Sequence, residues 1–259
     1  MQGITGMTTS TTDQAFKIDK LKMYFGEPYQ ITNKITITQP TIGQILKLGE
    51  AKFFQNLYIF VGNPTMYRLQ LWKAGIDWNK ISDFDLFSLL IKTSSAEYTQ
   101  LFMGDIDFTL FERYPVDEQD PTKGIMLYSQ DQDIMVTSEV YQVISEYLRA
   151  MFNIYPKSEK VKGKSAKEWV IQEETEKYEK EKGSGDSFLL PYISACINHP
   201  GFKYKLEELK EVGIYQFMDS VQRLQIYEST VALNSGRYSG MCDMSKVDEK
   251  LFNFMRAIE

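Results

Sequence analysis

The chain has 259 residues, of which 43% are hydrophobic and 25% charged. That is enough apolar material for one large domain or two small ones, and too little charge for a disordered chain. The net charge of -6 and a pI ≈ 5.1 argue against the basic face of a nucleic-acid binder, though not against a local basic patch. Two cysteines, Cys196 and Cys242, are too few to staple a secreted domain and imply a reducing compartment. The polar N-terminus has no apolar core for a secretory signal, and the longest apolar runs (57–61 and 87–91) fall far short of the ~20 residues that span a bilayer. Aromatic residues make up 14%, which fits either a large aromatic core or a surface that meets a partner.

In chain order, residues 1–15 are rich in Ser, Thr and Gly and read as a flexible tail. Leu21, Met23 and Phe25 alternate with polar residues and predict a strand. The step Gly26-Glu27-Pro28 predicts a turn, and Ile35 and Ile37 a second strand. From Thr41 the spacing becomes helical through Ile42, Ile45, Leu46, Phe53, Leu57 and Phe60, weakened by Gly43 and Gly49 at about 1 kcal/mol each. Asn63-Pro64 predicts a helix start and Gly75 its stop. Ser82 with Asp85 approximates a capping box, and a short helix follows over 96–103. Strands are expected over 107–113, 124–129 and 133–136, the last two joined by the turn Gln130-Asp131-Gln132. Thr137 or Ser138 then caps an amphipathic helix through Val140, Ile144, Tyr147 and Met151, ended by Pro156.

Residues 157–182 hold eight Lys and seven Glu. Lysines dominate the first half (Lys157, Lys160, Lys162, Lys164, Lys167), and Glu and Lys alternate in the second. The segment reads as a solvated helix with i,i+4 pairs, and alternatively as an anionic-partner site or a protruding arm. Gly183-Ser184-Gly185 reads as a joint. Helices follow over 188–197, broken by His199-Pro200-Gly201, and around Leu206 and Leu209. A long helix through Ile214, Phe217, Val221 and Leu224 is expected to end at Asn234-Ser235-Gly236, and a last amphipathic helix to carry Val247, Leu251, Phe254 and Met255. The expected fold is therefore α+β and mostly helical, with small antiparallel strand elements in the N-terminal half and a helical C-terminal bundle. The expected organisation is a tail (1–15), a mixed α+β domain (16–156), a charged helical arm and linker (157–186), and a helical C-terminal region (187–259).

No credible catalytic set emerges, and the sequence predicts a protein that is not an enzyme and carries no cofactor or metal. The single histidine, His199, lies three residues after Cys196, but a helix-end histidine and a buried cysteine account for both. The Cys and His together number three, short of a closed zinc site. There is no phosphate-binding glycine loop. The Asp-x-Asp pairs Asp83/Asp85, Asp105/Asp107 and Asp131/Asp133 leave one enzymatic alternative, a metal-dependent enzyme, best placed at Asp105 and Asp107. Nucleic acid is disfavoured because the acidic half of 157–182 repels phosphate.

Two segments carry a resemblance. The first is ITITQPTIGQILKLGEAKFFQNLYIF with LWKAGIDWNKISDFDLFSLL. The second is LEELKEVGIYQFMDSVQRLQIY with DMSKVDEKLFNFMR. Over 40–90 and 203–256 they are similar to proteins that tailed bacteriophages of Gram-positive hosts encode among their tail-building genes, and they resemble the tail assembly chaperones. The resemblance implies a non-enzymatic factor that holds the tape measure protein soluble in the host cytoplasm while tail tube protein polymerises around it. The alternative is a structural protein of the connector, tail or baseplate, located in the virion. Implied partners are other phage proteins, with self-association open and no membrane contact. The candidate partner-binding residues are Trp72, Trp78, Tyr215, Phe217 and Tyr227, for which burial in a core or helix seam is the alternative.

Overall fold

The computed structural model describes residues 17–181, 187–240 and 245–258. The expected tail at 1–15, the joint Gly183-Ser184-Gly185 and Cys242 lie outside these residues. Helix takes 55% of the structure and strand 8%, so the fold is α+β and mostly helical.

The first expected strand is a helix, α1 (Lys20–Tyr24). The Asp19 carboxylate caps it by accepting from the amides of Leu21 and Lys22 at 3.0 and 3.2 Å. Of the three alternating apolar residues only Met23 is buried; Leu21 and Phe25 are exposed. Alternation over five residues is equally compatible with one helical turn, and the cap decides between them. Two short strands, β1 (Tyr29–Gln30) and β2 (Thr36–Ile37), then pair antiparallel, with Tyr29 opposite Ile37.

Thr41 starts α2 (Ile42–Leu48) with a complete capping box to Gln44. The break comes at Gly49, whose φ of 103° a residue with a side chain rarely adopts. Next come α3 (Glu50–Val61), α4 (Arg68–Lys73), α5 (Asp83–Leu90) and α6 (Ala96–Met103). Ser82 and Asp85 form the capping box expected at α5. The strand expected over 107–113 is mostly not one. Asp107 caps a 3-10 turn (Phe108–Leu110), and β3 (Glu112–Pro115) begins only after it. Strands β4 (Ile125–Ser129) and β5 (Ile134–Val136) complete a three-stranded antiparallel meander in the order β3-β4-β5. Helix α7 (Ser138–Phe152) is capped by Thr137 and ends at Asn153 in the left-handed conformation, three residues before the proline expected to stop it.

The charged segment splits into an extended strap and α8 (Lys164–Glu181). Only one i,i+4 ion pair, Lys164–Glu168 at 3.9 Å, occurs on α8 among the described residues. The helix is instead docked on α4 through buried Ile171, the Lys167–Asp77 ion pair at 2.6 Å and the Arg68–Glu174 pair. Helices α9 (Leu190–Ile197), α10 (Leu206–Leu209) and α11 (Ile214–Ser239) follow. Helix α11 runs through Asn234-Ser235-Gly236 and stops at left-handed Gly240. The last amphipathic helix expected from the sequence is only a 3-10 turn, Glu249–Phe252.

One core holds most of this together. The rings of Phe53 and Phe60 on α3 meet Phe102 of α6 at 5.9 and 5.3 Å, and Phe60 meets Phe108 at 5.0 Å. Leu189, Cys196, Leu209, Ile214 and Phe217 belong to the same cluster. The backbone reinforces this join. Ile42 and Gly43 donate to the carbonyls of Val212 and Lys210, and Ile214 donates to that of Pro40. A smaller second core gathers Leu69, Leu71, Trp78, Leu86 and Ile171. Among the described residues, no helix is long and apolar enough to cross a membrane.

Candidate protein-interaction surface

Helix α11 has 26 residues, which makes it about 39 Å long. Its first half carries Ile214, Phe217, Met218 and Val221, all buried against the body. Beyond Leu224 the apolar packing on the body ends, although His199 still holds Glu228 at 2.9 Å, and the closing segment of the chain folds back along one side of the helix. Arg256 Nη1 donates to Thr230 Oγ1 and to the Leu251 carbonyl, both at 2.9 Å. Arg223 Nη1 donates to the Arg256 carbonyl at 2.7 Å. The Arg237 guanidinium stands 5.2 Å from the Phe252 ring centre, and Tyr227 meets Phe254 edge-on at 6.3 Å. Thr230 is buried by this return.

The rest of the outer half is open. Tyr227 is 48% exposed, Val231 43% and Tyr238 85%, and Phe254 and Met255 extend the apolar surface. A run of exposed apolar residues on a projecting helix is the feature that marks contact surfaces on otherwise ordinary domains.

Where α11 leaves the body it borders a groove of ≈ 810 Å³, lined by α1, the end of α7, α11 and the closing residues Ala257 and Ile258. Tyr24 and Tyr215 stand edge-on at 6.4 Å along it, and Tyr155 is exposed at its rim. Burial raises the phenol pKa of both Tyr24 and Tyr215, and the neighbouring Asp219 carboxylate adds to it. Burial also holds the Asp219 pKa above the usual carboxylate value, against the opposing pull of Arg223 and Lys20. A partly buried carboxylate flanked by tyrosines and two cations suits a mixed polar and aromatic contact.

The sequence candidates divide between surface and core. Tyr215 lines the groove, and Tyr227 lies on the open half of α11. Phe217 is fully buried, because its face of α11 is the one turned to the body. Trp78 is buried in the second core, with the Lys167 ammonium 5.4 Å from its ring centre, and half-buried Trp72 meets it edge-on. Phe217 and Trp78 are therefore not part of this surface. Tyr24 and Tyr238, which are part of it, stand out in the sequence only once α1 is known to be a helix and α11 to continue past residue 236.

Of the residues considered for chemistry, Asp105 and Asp131 lie exposed in turns, and the others have local partners. Cys196 is buried, which raises its thiol pKa. His199 Nδ1 accepts from the Gly201 amide at 3.0 Å, so Nε2 carries the proton toward Glu228 Oε1 at 2.9 Å. Asp107 accepts from the Thr109 amide and hydroxyl as a cap. Asp83 pairs with Arg149 at 2.9 Å and Asp133 with Lys34 at 2.6 Å. Among the described residues, no group of three or more His, Cys, Asp or Glu is gathered as metal ligands would be.

Neither the curated proteins nor the solved structures give a match to this chain. Residues 180–259, under a third of the chain, match the family described as YomV second domain, which is phage-associated. That span contains α9 to α11 and the returning segment, and it encloses the second of the two segments that carry the phage resemblance, while the first lies outside it. The similarity of its C-terminal part to this family points to a phage protein.

Proposed function

We propose that the chain is a non-enzymatic morphogenesis factor of a tailed phage, of the tail assembly chaperone kind, which binds other phage proteins. The observation that supports this reading is the outer half of α11. It projects an exposed row of Tyr227, Val231 and Tyr238, with Phe254 and Met255 beside it, from the region similar to a phage-associated family. A factor that keeps a long tape measure protein soluble needs exposed apolar and aromatic contacts on a carrier that stays soluble itself, and the net charge of -6 serves the second need. On this reading the host cytoplasm is its place of action.

Two measurements on one infected culture test it. Affinity purification of the chain is expected to bring down a long coiled-coil tape measure protein, and mass spectrometry of purified particles is expected to find the chain absent. Many stoichiometric copies in the particles would sink the chaperone reading and favour a structural protein of the connector, tail or baseplate. Replacing Tyr227, Val231 and Tyr238 together by Ser is expected to abolish the co-purification while leaving the fold intact, since none of the three is buried.

A further inference from the structure

The strap between α7 and α8 runs over 154–162 without a turn or bend. One edge of it is stitched to the body. Asn63 Nδ2 donates to the Lys157 carbonyl at 3.0 Å and to that of Pro156 at 3.4 Å, so regular alternation starts only at Lys157, and Thr65 Oγ1 accepts from the Glu159 amide at 3.0 Å. Asn79 Nδ2 donates to the Val161 carbonyl at 2.7 Å. Backbone groups of an extended chain point alternately to its two edges. The amides and carbonyls of residues 158, 160 and 162 accordingly belong to the outer edge, and they have no partner among the described residues. Though 154–162 is not itself a strand, open donors and acceptors in this order are what an unpaired strand edge presents.

Its charges are also unspent. Lys157, Lys160 and Lys162 are exposed and form no ion pair among the described residues. The acidic groups nearby are engaged elsewhere: Glu159 and Glu174 by Arg68, and Asp77 by Lys167. Lys164 has only the loose pair with Glu168. Lys160 and Lys162 stand on the same face of the strap, while Val161 between them packs into the second core. Tyr155 within the strap and Trp169 on α8 are 65% and 64% exposed.

We propose that 157–162 is a docking edge for an acidic, extended segment of a partner protein. The segment adds as a strand beside 158–162 and sets alternate carboxylates against Lys160 and Lys162, ahead of the bend at Gly163 where α8 begins. Side chains two apart on any extended chain are about 6.6 Å apart, so the two rows keep step. Main-chain hydrogen bonds supply affinity and the lysines select the sequence, which is the logic of strand addition. The same lysines oppose a second copy of this strap by like-charge repulsion. A phosphate backbone satisfies the strap less well, because phosphates accept hydrogen bonds but donate none and leave the outward carbonyls of 158, 160 and 162 to water. This surface is separate from α11, and it stands or falls independently of the function proposed above.

Fluorescence anisotropy of a labelled peptide of alternating Glu and Val, titrated with the full chain, tests the proposal. Binding is expected that weakens with salt and falls about tenfold or more in the K160E/K162E variant. Thermal unfolding of that variant is expected to be unchanged, because both side chains are exposed and unpaired. S158P, which removes one outward amide and no charge, is expected to weaken binding as well. Hydrogen exchange is expected to slow on binding at the amides of 158, 160 and 162, while that of Glu159 stays as it was. Absence of binding, or binding indifferent to K160E/K162E, overturns the proposal. So does a single-stranded oligonucleotide that binds these lysines more tightly than the peptide and is not displaced by it.

Discussion

Gly43 lies in the first turn of α2, and its amide donates to the Lys210 carbonyl at 2.8 Å. Two effects compete at this position. Alanine favours a helix over glycine by about 1 kcal/mol, so propensity alone makes Gly43→Ala stabilising. A Cβ here, however, meets the Lys210 carbonyl oxygen at 2.8 Å and the Lys210 Cβ at 3.1 Å, and the first of these is backbone that cannot swing away. Forcing a methyl group into such a contact costs roughly 1–3 kcal/mol, and the hydrogen bond that holds the two segments together weakens with it. We expect Gly43→Ala to lower the urea midpoint by an amount equivalent to about 1–2 kcal/mol net of the propensity gain. A midpoint equal to or above that of the parent would show that α2 and 210–212 separate more easily than this packing implies. The sequence marks Gly43 as a weakness in a helix. It cannot show that the weakness makes room for a carbonyl 167 positions further along the chain.

Most elements written by local chemistry were legible, although α4 starts at Arg68, four residues after the Pro64 expected to open it. Thr41 with Gln44, Ser82 with Asp85, and Thr137 before α7 each start a helix where the residues said so, because a cap depends on groups three positions apart. Elements whose ends depend on distant contacts were not legible. Helix α1 reads as a strand until Asp19 is seen capping it, and α11 reads as ending at 234–236 because Asn, Ser and Gly are poor helix formers. The outer half of α11 persists through the returning segment, and Arg256 is the residue that ties the two. Its guanidinium reaches Thr230 and Leu251, while its own carbonyl receives Arg223. Arg256→Ala removes the bonds made by the guanidinium and leaves buried Thr230 without its donor. The expected cost is about 1–3 kcal/mol, and it falls on the local opening of 224–239 rather than on the global transition. Hydrogen exchange followed residue by residue should quicken there and stay unchanged in α3 and α7. If exchange quickens equally throughout, the outer half is not a separate unit of opening. The candidate surface was half legible for the same reason: Tyr215 and Tyr227 lie on it, but the sequence offered no way to separate them from Phe217, which shares the helix and faces inward.

At the scale of the whole molecule, the match over 180–259 treats the C-terminal part as a unit, yet that part does not own a core. Leu189, Cys196, Leu209, Val212, Ile214, Phe217, Met218 and Val221 are buried in one cluster with Phe53, Phe54, Leu148 and Phe152. Gln39 clamps the join: its Nε2 donates to the Met23 carbonyl at 2.8 Å and its Oε1 accepts from the Tyr215 amide at 2.8 Å. At roughly 1.5–3 kcal/mol for each large apolar side chain buried, the shared surface is worth on the order of 10 kcal/mol, comparable to the whole stability of an ordinary domain. Neither part can then unfold while the other keeps its full stability, and a single cooperative transition is expected. The tryptophans make this measurable, since Trp72, Trp78 and Trp169 all precede residue 180 whereas much of the C-terminal helix lies in α11. Urea unfolding followed by tryptophan fluorescence and by far-ultraviolet circular dichroism should give coincident curves. A helical signal that falls first would mean that α9 to α11 separate from the body, and the match over 180–259 would then mark a folding unit as well as a family boundary. Coincident curves would mean that any partner held on α11 is felt through this core by the rest of the chain, because binding to the folded state raises the stability of everything that unfolds with it.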